Sequence, residues 1–272
     1  MKKIISLTLA LLIALTCFAA CGKQAAGGND AGAADQKVII VGVTIYEPMN
    51  YKDEAGNWTG FDTELAEKVF GNLGYTVIFQ EIDWDSKYTE LDAGNIDCIW
   101  NGFTANTADD DGIARADKVD FSYNYMENRQ VIVVKADSGI ATAEDLNGKI
   151  GAVEAGSAGA TYAEGFEGVE VKTFSKQTDC LLEVNSGSAD FAVVDAQLAK
   201  SYCGKGDYAS LQIVEELSSD VEFYAIGFKQ GSELTAQVNA QLEALAAEGT
   251  LMELAEKYGV ATTVITDFSD QK

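Results

Sequence analysis

The chain has 272 residues, with 19 lysines and arginines against 43 acidic residues, for a net charge of −24. An apolar share of 47% with 10% aromatics belongs to a folded globule, while the acidic surface repels phosphate backbones and anionic lipid, excluding nucleic acid as a partner and electrostatic adhesion to membranes. Histidine is absent, which excludes Ser-His-Asp triads and imidazole metal sites, and Arg115 and Arg129 are the only planar forks available to grip a carboxylate.

Along the chain, Lys2 and Lys3 precede an apolar run from Ile4 to Ala20, and small residues lead into Cys21 and Gly22. A charged start, a short apolar middle and a small-residue cut site make residues 1–20 a secretory signal peptide, too short for a comfortable membrane span. The residues around Cys21 resemble the lipobox of bacterial lipoproteins, which implies cleavage before Cys21 and acylation of its sulfur. Two acyl chains hold a protein stably to a membrane, since each buried CH₂ contributes about 0.8 kcal/mol. Loss of Lys2 and Lys3 with the leader takes the net charge from −24 to −26. Residues 21–36, rich in Gly and Ala without an apolar period, read as the lipidated flexible tether.

From Lys37, strands and helices alternate. The β-branched runs 37–45 and 75–82 flank DTELAEKVFGNL, with Leu65, Val69 and Leu73 at helical spacing and Asp62 placed as its cap. Further strands are expected at 96–100, 130–135, 149–154, 189–195 and 222–228. Near the C-terminus Ser232 is placed to cap a helix carrying Leu234, Val238, Leu242 and Leu245, Gly249 ends it, and Thr250 starts a second with Leu251, Leu254 and Tyr258. The single proline, Pro48, fits a rigid turn past the first strand. Such alternation signals an α/β fold with mainly parallel strands, whose ligands sit beyond the strands' carboxyl ends. Cys98 reads as a core residue, Cys180 and Cys203 could pair in an oxidising compartment but are expected reduced, and the spacing is not that of a zinc cluster.

Six segments in order resemble the polar amino-acid solute-binding proteins of bacterial ABC importers, solute-binding protein family 3. They are GFDTELAEKV at 60–69, IDWDSKYTELDAGNIDCIWNGFT at 82–104, RADKVDFSYNY at 115–125, GAVEAGSAG at 151–159, ADFAVVD at 189–195, and the tail from YAIGFKQGSEL to EGTLMELAEKYG. The resemblance covers residues 37–259 and implies a two-lobed periplasmic-binding-protein-like fold of type II, with the ligand cleft between the lobes. On that pattern residues 37–128 plus 226–272 form the first lobe and 129–225 the second, with crossovers near 129–133 and 222–226. The expected partners are a free L-amino acid, the importer's permease subunits, and the outer face of the cell membrane through Cys21; the chain is expected to be a monomer.

A free amino acid needs an anion grip, a cation grip and a shaped wall. The resemblance assigns the carboxylate to Arg115, counted back from Val119-Asp120-Phe121, with Arg129 as the alternative because TADDDGIA at 107–114 is inserted after Thr104. Asp195 matches the acceptor of the ammonium, Ser157 a donor to the carboxylate, and Asn101, Gly102 and Thr104 the turn that meets the ammonium. Tyr46 and Trp84 match the aromatics that flank the ligand side chain, while Trp100 is expected in the core. Asp109 to Asp111 with Gly112 suggests calcium, but on the EF-hand frame Lys118 takes the twelfth position where glutamate is needed, so a solvated acidic loop is expected and no metal or cofactor. The alternatives are a carboxylate-using dehydratase or lyase on the same fold, or a ligand-sensing module; the expectation is a binding protein and not an enzyme.

Overall fold

The computed structural model describes residues 37–272; the signal peptide, Cys21 and the tether lie outside the described residues. Two five-stranded sheets organise it. In the first, Lys37–Val43 lies parallel to Tyr75–Glu81 in unbroken register from Lys37↔Tyr75 to Val43↔Glu81, and parallel on its other side to the short strand Cys98–Ile99. Gly227–Phe228 runs antiparallel between Cys98–Ile99 and Asp120–Phe121, so a late segment closes a sheet built mostly from the first third of the fold. In the second sheet Glu170–Phe174, Ile150–Glu154 and Phe191–Asp195 are parallel, and Gln130–Lys135 is antiparallel to both Phe191–Asp195 and Leu211–Val214.

The strands with continuous β-branched runs are the most buried, as expected where helices cover both faces of a sheet. Gln130–Lys135 and Phe191–Asp195 bury nearly every side chain. Helix Phe61–Asn72 buries Phe61, Leu65, Ala66, Val69 and Phe70, and the helices Leu234–Ala247 and Thr250–Lys257 pack against it. Trp100 is fully buried, edge-on to Phe70. No helix among the described residues is long and apolar enough to cross a membrane.

Several expectations are corrected. Asp62 caps nothing: Gly60 stands at the N-cap, and Asp62 Oδ2 instead accepts from the Gly102 amide at 2.9 Å and the Tyr125 hydroxyl at 2.9 Å. Glu233 takes the N-cap position of its helix, while the Ser232 hydroxyl before it accepts from the Leu234 amide at 3.3 Å. The expected strand at 222–228 is two: Glu222–Tyr224 pairs antiparallel with Met126–Asn128 in a separate ladder, and Gly227–Phe228 joins the first sheet. That ladder is the connection between the two sheets; its second strand falls at the expected 222–226, whereas its first, Met126–Asn128, precedes the expected 129–133, because Gln130 onward is already a strand inside the second sheet. As expected, Cys98, Cys180 and Cys203 are all unpaired, the first two buried in the core.

Candidate functional site

The carboxyl ends of the parallel strands in both sheets converge on one small cavity. Trp84 follows Tyr75–Glu81; Asn101, Gly102 and Thr104 follow Cys98–Ile99; Ser157 follows Ile150–Glu154; Gln177 follows Glu170–Phe174; and Asp195 ends its own strand. With Arg115, Gln130, Glu154 and Ala158 these residues line a narrow cavity of about 10 Å³, room for about one water, spanned by the bonds of Arg115 and Lys87 to the Gly156 carbonyl. The expected residues Trp84, Asn101, Gly102, Thr104, Arg115, Ser157 and Asp195 are all brought together here. Tyr46 is not among the lining residues; it sits behind Gly102, edge-on to Tyr224, with the two hydroxyls 2.6 Å apart.

Arg115 is 1% exposed and Arg129 points elsewhere, exposed and donating to the Ser219 carbonyl at 2.7 Å. The insertion explains how Arg115 reaches the site despite its late position. Ala108 bridges to Ala114, and the Arg115 amide donates to the Thr107 carbonyl at 3.0 Å, so residues 107–114 form a pinched-off loop whose base returns the chain beside Thr104. The expectation of a solvated acidic loop is therefore wrong for Asp109. It is buried, receiving Arg115 Nε at 2.8 Å, Lys118 Nζ at 2.9 Å and the Tyr88 hydroxyl at 2.7 Å. Burial pushes its carboxyl up, but the Arg115 charge and the bonds from Lys118 and Tyr88 outweigh it and hold Asp109 at about 2. With Nε taken by Asp109, the guanidinium turns its outer nitrogens inward, Nη1 to the Thr104 carbonyl at 3.2 Å and Nη2 to the Gly156 carbonyl at 3.3 Å. Lys87 Nζ also donates to Gly156 O at 3.0 Å; burial first, then the Arg115 charge, push it down to about 8.

Gly102 sits at φ +57°, and a Cβ there would lie 2.6 Å from Tyr46 Cε1, so only glycine lets this turn pass between the rings. Asn101 is scaffold: its amide donates to the Thr44 carbonyl at 3.1 Å and accepts from the Thr44 hydroxyl at 2.6 Å. Trp84 stands edge-on to Phe103 with ring centres 5.3 Å apart. Ser157 is the N-cap of helix Ala158–Glu164, its hydroxyl accepting from the Ala160 amide at 3.0 Å, which leaves the first amides of that turn without helical acceptors.

On the other wall Asp195 accepts from Asn128 Nδ2 at 2.6 Å, Gln130 Nε2 at 2.6 Å and Gln177 Nε2. Asn128 and Gln130 donate equally to Glu222, which also receives the Thr104 hydroxyl at 3.1 Å. Burial raises Asp195; burial and then the Asp195 charge raise Glu222 to about 7 and Glu154 to about 8. Sequence reasoning missed Gln130, Glu154, Gln177 and Glu222. The signal that found Asp195, a polar residue ending an apolar strand, also marks Glu154 in IGAVE. Gln130 shares that edge because its antiparallel strand sets it opposite Asp195.

One wall thus presents a buried guanidinium and the other a buried carboxylate, which together can hold an anion and a cation on one small molecule. Among the described residues no group of three or more Cys, Asp or Glu is arranged to hold a metal.

Comparison with known proteins agrees with this arrangement. The profile of the bacterial extracellular solute-binding proteins, family 3, matches residues 39–261. The arginine-binding extracellular protein ArtP of Bacillus subtilis (strain 168) is 29% identical over 262 residues, covering 95% of this chain and 98% of ArtP. An ABC uptake transporter substrate-binding protein from Streptococcus pneumoniae, solved with bound histidine, superposes with a TM-score of 0.72 at 32% identity, covering 81% of this chain and 92% of that one. An ancestral amino acid-binding protein, described as a precursor of cyclohexadienyl dehydratase, superposes with a TM-score of 0.72 at 31% identity, covering 81% of this chain and 95% of that one. The chain belongs to the bacterial extracellular solute-binding proteins, family 3.

Proposed function

We propose that the protein is the extracytoplasmic binding component of an ABC importer, which captures a free L-amino acid between its lobes and hands it to the membrane permease. One observation carries this reading: Arg115 from the first lobe and Asp195 from the second line the same closed cavity, each buried and each oriented by its own neighbours. A zwitterion matches that pair, its carboxylate on the inward nitrogens of Arg115 and the free amides past Ser157, its ammonium on Asp195 and the Gly102 carbonyl. Trp84 forms the wall beside the ligand side chain, and Tyr46 supports the Gly102 turn from behind. The ligands named for ArtP and for the Streptococcus pneumoniae protein are free amino acids, which supports the same class here.

The ladder of Met126–Asn128 with Glu222–Tyr224 is the hinge in this reading, with residues 37–128 and 226–272 moving against 129–225. Opening must break the bonds of Arg115 and Lys87 to Gly156 O and the exposed Lys176–Glu81 pair at 2.6 Å. Cys21, acylated after removal of residues 1–20, anchors the protein to the outer face of the cell membrane through the tether 21–36.

Two observations favour a second reading, an enzyme: burial and the Asp195 charge raise Glu154 to about 8 and Glu222 to about 7, the range of proton-transfer catalysts, and one structural relative is described as the precursor of a dehydratase. Calorimetry of the purified exported protein against the twenty amino acids and cystine, with the ligand recovered afterwards, separates the two. Capture predicts saturable binding at one site and unaltered ligand. Turnover of a bound compound, or no binding of any amino acid, contradicts it.

A further inference from the structure

We propose that Glu154 selects amino acids carrying a second protonated nitrogen, by meeting that nitrogen inside the closed cleft. The inference rests on the amino-acid reading of the same site and names its substrate class.

The cavity's charged groups can be taken in turn. Arg115 is compensated by Asp109. Both oxygens of Asp195 are held by Asn128, Gln130 and Gln177, and Glu222 is held by Asn128, Gln130 and Thr104. Glu154 differs. It is 3% exposed and lines the cavity, and although the Gln177 amide approaches its carboxyl, its Oε1 is buried with no hydrogen-bond partner among the described residues. The nearby cation Lys87 does not pair with it, because its ammonium is held on Gly156 O and lies against the Trp84 and Tyr88 rings. A buried carboxyl oxygen without a partner is costly in a folded protein, and once the group ionises the donor that compensates it best is a cation.

Its position suits a ligand side chain. Glu154 ends the strand beside Asp195, three residues before Ser157. A zwitterion held at Arg115 and Asp195 would send its side chain past Trp84, and a cationic tip there would come under the Glu154 wall when the lobes close. The other lining acid, Asp195, is already held by three side-chain amides, so Glu154 is the lining acid free to read that tip. A neutral side chain leaves Oε1 without a charged partner.

The groups facing Glu154 are Asp195 on the neighbouring strand, Asp179 and Cys180 on helix Gln177–Ser186, and Lys87 across the cleft. Burial and the Asp195 charge raise its carboxyl to about 8, so near neutral pH it carries a proton that an incoming cation displaces. Binding of a cationic ligand therefore releases a proton, and its affinity rises between pH 6 and pH 8.5 as Glu154 ionises. Lys87 titrates in the same window, so the Glu154 contribution is the part that disappears in Glu154→Gln.

The test uses the exported protein purified in detergent and calorimetry in buffers of different ionisation enthalpy. The ligands are arginine and lysine, their neutral counterparts citrulline and glutamine, and cystine, whose second ammonium is the other source of the same chemistry. The expected result is arginine over citrulline by about 10- to 100-fold, as for a charge-assisted buried hydrogen bond, with proton release on binding. In Glu154→Gln, which keeps the shape, the preference should fall to threefold or less with citrulline affinity retained, and Glu154→Asp should lie between. If cystine is the tightest ligand and loses affinity in Glu154→Gln, the second nitrogen is an ammonium and the proposal holds. Equal or tighter citrulline binding by the unaltered protein, or a preference that survives Glu154→Gln, overturns the proposal and leaves amino-acid capture standing. Absence of binding to every amino acid overturns both.

Discussion

Arg115→Ala is the most informative perturbation of the anion grip. The side chain is 1% exposed and its three hydrogen bonds all go to buried or backbone oxygens: Asp109 Oδ1 at 2.8 Å, Thr104 O at 3.2 Å and Gly156 O at 3.3 Å. Truncating one partner of a buried, hydrogen-bonded charge pair costs about 2–5 kcal/mol of binding, which at about 1.4 kcal/mol per decade is a loss of roughly 30-fold to a few thousand-fold. The fold should suffer less than the about 3–5 kcal/mol typical of breaking a buried ion pair, because Asp109 keeps Lys118 at 2.9 Å and Tyr88 at 2.7 Å and is not stranded. Calorimetry with the tightest amino acid gives the affinity, and a thermal melt gives the folding cost. Arg129→Ala is the control: that side chain is exposed and outside the cavity, so affinity should stay within about threefold. An Arg115→Ala protein that melts cooperatively and binds within threefold of the parent would refute the assignment, as would a loss confined to Arg129→Ala.

Asp109→Asn should weaken binding about tenfold by removing the charge that fixes Arg115 Nε. It should also flatten the acid limb of the stability curve. Asp109 sits at about 2, below its unfolded value, so its stabilisation is present above about pH 4 and lost as pH falls through 2. Asp62 has the opposite sign. Burial raises it to about 7, so the native state binds more protons than the unfolded chain between about pH 4 and 7, and stability falls as pH rises across that window by at most about 4 kcal/mol. Melts of Asp62→Asn from pH 5 to 8 should show less of that decline than the parent; equal declines contradict the assignment. Gly102→Ala should cost 2 kcal/mol or more, roughly, in denaturant unfolding, since its Cβ would sit 2.6 Å from Tyr46 at φ +57°. Cys21→Ser should move the protein from the membrane fraction to the medium, and retention in the membrane would contradict the lipid anchor.

The parts of the site that were legible in the sequence share one physical origin. Trp84, Thr104, Ser157 and Asp195 each lie at or just past a parallel strand's carboxyl end, and apolar runs interrupted by polar residues mark those ends. What stayed hidden depends on distant pairing. Asp109 sits in a triplet that reads as a solvated loop, and its burial is created by Tyr88, 21 residues earlier, and by the bridge that pinches the insertion shut. Asp62 matches a helix-capping pattern, and only tertiary packing reveals that its partner is the Gly102 amide 40 residues on. Gln130 begins a strand, so its place beside Asp195 follows from an antiparallel register that local pattern does not encode. Tyr46 was readable as an aromatic near the cleft, but its hydroxyl contact with Tyr224 joins segments 178 residues apart.

The most direct measurement is a crystal structure of the protein with its tightest amino acid bound. The ligand's α-carboxylate should lie within hydrogen-bonding distance of the Arg115 outer nitrogens and its α-ammonium within hydrogen-bonding distance of Asp195, with both lobes in contact with it. A ligand whose charged ends are held elsewhere, or a preferred ligand lacking either group, would contradict the account.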